Sequence, residues 1–225
     1  LLNSCIIADH DDHLVVNKAA GLASQSSRDP LSPNLHGLLE DELKTKLHLL
    51  TRLDQPVSGL CLLSKKQHFT RLINKAQEKG DITKQYLAIV EGRLELDKKT
   101  LVHYLKKSSE KRKAIVSDIY AKGMKEVESI ANTLLVLDRY SLITIKIKSG
   151  KFHQIRGQLA HIGHPVKGDV KYGARRSNKT RFIHLHSWKL HLRHPDNKEL
   201  NYEAELPKND DLWQLVAKDK SINDG

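Results

Sequence analysis

Asp54 is the residue whose neighbours point most directly to chemistry. It follows Arg52 by two positions and precedes Pro56 and Gly59, two residues that interrupt regular structure. This spacing predicts a carboxylate held at a tight turn instead of on a solvated helix face. Such a carboxylate could act as a nucleophile or as an electrostatic partner. The alternative is a turn-forming Asp whose side chain caps its own backbone.

A tyrosine and an arginine further along the chain could serve the same chemistry. Tyr86 opens a nearly continuous apolar run that ends at Val90, which is typical of a strand buried on both faces. Arg156 lies in a segment where Phe152, Ile155, Leu159 and Ile162 recur at helical spacing, and it falls on the margin of that apolar stripe. Because the arginine charge is permanent, Arg156 needs an anionic partner there.

The motifs around these residues resemble those of the RluA family of pseudouridine synthases. The segment that holds Arg52, Asp54 and Gly59 is similar to the family motif around its catalytic aspartate, except that Thr51 replaces the usual His and Val57 the usual Thr. Other similar segments follow the family order along nearly the whole chain. They are residues 14–22 (with Ala19 for the usual Pro), 83–92, 149–156, 161–173 and 182–207.

The resemblance implies an isomerase that turns uridine into pseudouridine in RNA without a cofactor. It assigns Asp54 as the catalytic aspartate, Tyr86 as the aromatic that packs on the base, and Arg156 as the partner of the aspartate. It also implies that residues 1–225 form a single catalytic domain, with no separate N-terminal RNA-binding module in this chain. The implied fold has a long, bisected, mostly antiparallel mixed sheet with flanking helices and a central cleft.

Hydrophobic periodicity alone predicts an α+β fold with a mostly antiparallel sheet. Leucines from Leu35 to Leu43 predict a short amphipathic helix. A second helix should have Ser64 as its N-cap and end at Gly80. Residues 142–148 alternate between apolar and polar types, which predicts a strand with one face in the core and one in water.

Charge is the strongest compositional signal. The chain has 38 Lys and Arg against 27 Asp and Glu, a net charge of +11, which favours a nucleic acid as its partner. The predicted RNA-binding residues are Arg52, Lys111, Arg112, Lys113, Arg175 and Arg176. A solvated basic surface with no ligand is the alternative.

Several other kinds of protein are disfavoured. The chain has no apolar run long enough to cross a membrane, and Cys5 and Cys61 match no disulfide, metal or redox spacing. We therefore expect a cytoplasmic protein with reduced thiols, and a monomer that binds RNA, with no membrane or metal.

Two alternatives to a pseudouridine synthase stay open from the sequence. The missing His and Thr near Asp54 would suit a catalytically retired homologue that only binds RNA. A metal-dependent nuclease would need metal ligands, but the densest histidine group has no Cys or Glu at ligand spacing. Its members are His184, His186, His191 and His194. We expect this group to be structural or to face RNA.

Overall fold

The computed structural model describes residues 3–26, 32–180, 182–193, 198–208 and 210–218. The chain divides into two compact units. Unit 1 comprises residues 1–84 and 186–207, and unit 2 comprises residues 85–185 and 208–225. Within the described ranges, every helix is too short or too polar to cross a membrane.

The described regular structure comprises eleven strands, four α-helices and two short 3-10 helices, Asn3–Cys5 and Val170–Tyr172. The strands are β1 (Ile6–Asp9), β2 (His13–Lys18), β3 (His48–Leu49), β4 (Ser58–Ser64), β5 (Ile82–Glu91), β6 (Lys99–Ser108), β7 (Lys113–Ser117), β8 (Lys125–Val136), β9 (Tyr140–Ile147), β10 (Leu185–Arg193) and β11 (Glu199–Glu203). The helices are α1 (Leu35–Leu43), α2 (Gln67–Lys79), α3 (Gln154–His161) and α4 (Asp211–Ala217). This content confirms the α+β class.

Unit 1 contains a mixed sheet centred on β4. Strand β2 pairs antiparallel with both β1 and β4, and β3 also pairs antiparallel with β4. Strand β10 pairs parallel with β4 and antiparallel with β11. All seven residues of β4 are buried, and Phe69 and Ile73 of α2 pack in one core cluster with Leu60 and Leu62. The unit therefore has its own hydrophobic core.

Unit 2 contains the strand order β5, β9, β8, β6, β7. Strand β8 pairs antiparallel with both β9 and β6, and β6 pairs antiparallel with β7. Leu105, Ala114 and Val127 form a small buried cluster against which Tyr172 packs. The antiparallel pairing predicted from the sequence is therefore confirmed in this unit.

The predicted elements α1 and β5 are confirmed, but two details of the neighbouring elements are wrong. Ser64 is not the N-cap of α2: Lys66 holds that position without a side-chain cap, while Ser64 ends β4 and hydrogen bonds to the backbone of Lys66. The predicted wet face of β9 is also wrong at Thr144, which is 7% exposed. Its hydroxyl finds an acceptor in the Asn132 carbonyl, so burial leaves it satisfied.

Gly59 permits the parallel contact between β4 and β10. Its φ is +111°, and a Cβ atom built on it would lie 2.2 Å from the Ser187 carbonyl oxygen. No side chain fits at that distance, and backbone atoms cannot move aside as a flexible side chain can. The glycine of the Asp54 motif therefore has a packing role within unit 1.

We predict that Gly59→Ala lowers the free energy of unfolding by about 3 kcal/mol or more, through overpacking and backbone strain together. Gly163→Ala is the matched control, because Gly163 also has a positive φ, +86°, but has open space where a Cβ would lie. It should lose only about 1 kcal/mol, the strain alone. Denaturant unfolding measures both, and equal losses would contradict the close-approach argument.

Candidate active site

Asp54 lies in a turn, as the sequence predicts. The Val57 amide donates to the Asp54 carbonyl over 3.0 Å, and the Asp54 side chain is half-buried. The preceding residue is fixed as well, because the Ser24 hydroxyl donates to the Leu53 carbonyl and accepts from the Leu53 amide, at 2.8 and 3.0 Å. The Asp54 backbone is thus held by hydrogen bonds on both sides.

Lys18 is a buried cation beneath this turn, and sequence reasoning missed it. Its side chain is fully buried, and Nζ donates to the carbonyls of Ala19 and Leu22, at 3.0 and 2.8 Å, with the Gln55 carbonyl at 3.4 Å. Burial lowers the pKa of Lys18 to about 8, although the nearby Asp54 carboxylate acts in the opposite direction. The signal available in the sequence was a single lysine at the end of the apolar strand β2.

The two departures from the family motif have local structural explanations. Thr51 is buried, and its hydroxyl accepts a hydrogen bond of 2.8 Å from the Leu62 amide. Val57 is 2% exposed, as an apolar side chain in a core position should be. Neither substitution introduces an unsatisfied group next to Asp54.

Tyr86 occupies β5 and is 8% exposed. The predicted buried strand is confirmed, but Tyr86 lies within it and not at its start, because β5 begins at Ile82. Its proposed contact with a substrate base stays a prediction.

Arg156 is more deeply buried than the margin of the stripe predicted, at 5% exposure on α3. Its guanidinium pairs with Asp169 in a bidentate manner, Nε to Oδ2 at 2.6 Å and Nη2 to Oδ1 at 2.9 Å. The centroid of the Tyr172 ring lies 5.1 Å from Arg156 Cζ. The anionic partner that the buried charge requires is thus present in unit 2. Asp54 belongs to unit 1, and its pairing with Arg156 stays a prediction.

Two stacked rings, Phe152 and His153, precede α3. The apolar spacing predicted that Phe152 lies in the helix, and that prediction is wrong. Phe152 lies outside the helix and is 37% exposed; its ring stacks on His153 with centroids 3.8 Å apart. His153 has a left-handed φ of 53° and hydrogen bonds through Nδ1 to the Tyr172 hydroxyl. Lys107 Nζ lies 4.9 Å from the Phe152 ring. An exposed ring with a cation beside it is suited to contacts with RNA bases.

The residues predicted to bind RNA are mostly accessible. Lys113 is half-buried at the start of β7 and the other five are exposed. The Arg112 carbonyl accepts from Lys171 Nζ, which adds a cation to the loop between β6 and β7. The positions fit RNA contacts, but binding itself stays a prediction.

The histidines considered as metal ligands have separate hydrogen-bond partners. This arrangement suits structural histidines better than a shared metal ion. The partners are Asn178 and Asp210 for His184, Ser58 for His186, and Asn201 and Glu199 for His191. His194 lies outside the described residues.

A different group in unit 2 has metal-ligand residue types: His103, Asp118 and His161. The Gln158 amide nitrogen donates to the Leu101 carbonyl and to His103 Nδ1. His103 therefore carries its hydrogen on Nε2, which faces Asp118 at 3.6 Å. Coordination through Nε2 would move that hydrogen to Nδ1, against the amide donor. We interpret the group as a hydrogen-bonded cluster.

Comparison with known proteins agrees with the motifs. Residues 12–161 match the family model for RNA pseudouridylate synthase. The tRNA pseudouridine synthase C of Haemophilus ducreyi is 29% identical, over 94% of this chain and 93% of its own length. The ribosomal large subunit pseudouridine synthase C of Buchnera aphidicola is 29% identical, over 88% of this chain and 65% of its own.

The solved structure of human RNA pseudouridylate synthase domain containing 4 has the same fold, with a TM-score of 0.72 and 20% identity over 92% of this chain and 90% of that one. The fold and the family match together define the class. The chain belongs to the RNA pseudouridylate synthase family, of the RluA type, and is an isomerase that acts on RNA.

The buried Lys18 predicts an unusual dependence of stability on pH. Its pKa is about 8 in the folded protein and about 10.5 in the unfolded chain. Between these values the unfolded chain binds more protons, so folding stability contributed by this residue rises with pH. The free energy of unfolding of the wild type, relative to Lys18→Met, should increase by about 2 kcal/mol from pH 7 to pH 9.5.

Lys75→Met is the control, because Lys75 is exposed on α2. The difference in the free energy of unfolding between the wild type and Lys75→Met should stay constant from pH 7 to pH 9.5. Denaturant unfolding at several pH values measures both differences. A flat difference for Lys18→Met would contradict the depressed pKa.

Proposed function

We propose that this chain converts a uridine of a structured RNA into pseudouridine with Asp54 as the nucleophile, and that Tyr86 and Arg156 serve the same reaction. The observation that carries the proposal is the Asp54 turn. Its carboxylate is half-buried, its backbone is fixed on both sides, and a buried cation, Lys18, lies beneath it. A positioned carboxylate of this kind is what the reaction requires of a protein.

The proposed reaction is redox-neutral and needs no external group. The Asp54 carboxylate attacks C1′ of the ribose, and the N1–C1′ bond breaks with its electron pair leaving on uracil. The uracil turns while Tyr86 packs against it. Its C5 then attacks C1′ and displaces the carboxylate, C5 loses a proton, and N1 takes up a proton. Arg156 supplies the positive charge that keeps Asp54 ionised.

The proposed substrate is a stem-loop of ribosomal or transfer RNA. The named relatives include one enzyme that acts on transfer RNA and one that acts on the large ribosomal subunit. The net charge of +11 favours a polyanion, with the phosphate contacts predicted at Arg52, at Lys111 to Lys113 and at Arg175 and Arg176. We further propose a monomer that works in the cytoplasm. The free thiols of Cys5 and Cys61 support a reducing compartment.

We propose that the two units act as one catalytic domain. The family match from residue 12 to residue 161 includes parts of both units and supports this interpretation. The retired RNA-binding homologue is the competing hypothesis, and no contact around Thr51 or Val57 favours it.

We predict that Asp54→Asn abolishes pseudouridine formation, because it removes the anion and preserves the shape of the side chain. Thermal stability and RNA affinity should be nearly unchanged. Carbodiimide mapping of pseudouridine in the incubated RNA gives the readout. Asp41→Asn, an exposed position on α1, is the matched control and should stay active. Turnover above trace levels by Asp54→Asn would contradict the nucleophilic role of Asp54. An inactive wild type would favour the retired RNA-binding homologue.

Arg52 is exposed two residues before Asp54, and we propose that it fills the space left when the uridine leaves the helical stack. Extruding a stacked base costs a few kcal/mol, whereas an unstacked base costs little. Arg52→Ala should therefore lose much more activity on a folded stem-loop than on an RNA whose target uridine is already exposed.

Single-turnover rates on the two RNAs measure this difference. Arg71→Ala, at an exposed position on α2, should affect both substrates equally and only slightly. If Arg52→Ala also affects both RNAs equally, the flipping role must be dropped.

A further inference from the structure

Unit 2 contains a cavity of about 550 Å³ that includes none of the residues predicted to be catalytic. Its size lies within the range of ~300–1,000 Å³ typical of small-molecule sites. Five basic residues and three acidic ones contribute to its lining. The basic ones are Arg139, Lys167, Arg175, Arg176 and Lys179.

Two of the acidic lining residues are already engaged. The Glu91 carboxylate accepts from the Arg175 amide, at 3.1 and 3.2 Å. Asp210 caps α4 by accepting from the Leu212 and Trp213 amides, and it also accepts from His184 Nε2 at 2.9 Å. Their charges are therefore partly neutralised by the protein itself, which leaves less negative charge to repel an anion.

Most of the basic side chains, by contrast, lack an acidic partner. Within the described residues, the exposed side chains of Arg139, Arg176 and Lys179 form no hydrogen bond or ion pair. Arg175 is only loosely paired: its Nε lies 3.9 Å from Glu91, with the side chain 88% exposed. Three unpaired cations and one weakly paired cation thus lie around a single cavity.

Lys167 gives the cavity a fixed donor as well as mobile ones. Its Nζ donates to the Asn178 side-chain oxygen at 2.6 Å and lies 5.8 Å from the Tyr140 ring. The Asn178 amide in turn donates to His184 Nδ1 at 3.0 Å, and His184 holds Asp210. A half-buried ammonium in such a network is oriented before a ligand arrives, which lowers the entropic cost of binding.

We propose that this cavity binds consecutive phosphates of the substrate RNA backbone, so that it positions the strand that carries the target uridine. The inference rests on the proposed function and extends it to a defined binding site. Phosphate oxygens match guanidinium and ammonium donors. An RNA backbone presents several phosphates in succession and can use Arg139, Arg176 and Lys179 together, whereas an isolated phosphate needs fewer cations.

The test compares two charge-reversed double variants of the full chain. Arg176→Glu with Lys179→Glu alters the cavity, and Lys75→Glu with Lys79→Glu makes the same change of charge on the exposed surface of α2. Binding of a substrate stem-loop is measured against salt concentration. The cavity variant should bind at least tenfold more weakly at low salt, and its log–log slope should fall by about two, one for each lost phosphate contact.

The α2 variant should keep the wild-type slope. Equal losses of RNA affinity in both variants would mean that only the net charge matters, and would overturn the proposed site. Unchanged RNA affinity in the cavity variant would overturn it as well. Thermal stabilisation of the wild type by uridine 5′-monophosphate, with RNA affinity intact in the cavity variant, would indicate a free-nucleotide site and also overturn the proposal. Because affinity is read without turnover, an inactive wild type that binds RNA would overturn the proposed function alone.

Discussion

The buried ion pair between Arg156 and Asp169 is the interaction on which the order of unit 2 depends. The Asp169 carbonyl also accepts from the Tyr172 and Ala174 amides, so the segment that follows is held to the same point. The Tyr172 hydroxyl then accepts from the Ala114 amide of β7. One ion pair thus connects α3, this segment and an edge of the sheet. Removing either charge would strand the other in the interior at a cost on the order of 3–5 kcal/mol.

Lys18 and Arg156, two buried cations among the described residues, illustrate different responses to desolvation. Burial removes Lys18 from water and only neutral carbonyls accept from its Nζ, so desolvation lowers its pKa to about 8 and the ammonium persists at neutral pH by a small margin. Arg156 cannot lose its proton, and burial is tolerable only with a full carboxylate in bidentate contact. A lysine can therefore respond to pH near Asp54, whereas the arginine provides a charge that does not vary.

Periodicity predicted the elements that depend on local sequence, and failed where distant contacts decide. Helix α1 and strand β5 follow from their apolar spacing. Ser64 looks like a helix cap, but pairing along β4 continues through it, and Phe152 fits a helical stripe although the backbone turns at His153. The pairing of Arg156 with Asp169 could not be predicted from the sequence, because the two residues are thirteen positions apart and two turns lie between them. The sequence could show only that the charge needed an anion.

In the Asp54 segment, three neighbours of the proposed nucleophile have structural roles. Gly59 is required by the Ser187 backbone, and Thr51 satisfies the Leu62 amide. Val57 simply fills the core. These three positions can change whenever the replacement preserves volume, backbone conformation and hydrogen bonding, and two of them differ from the usual family residues. The turn at Asp54 is closed by its backbone carbonyl, which accepts from the Val57 amide. The departures at Thr51 and Val57 therefore concern the scaffold around the Asp54 carboxylate.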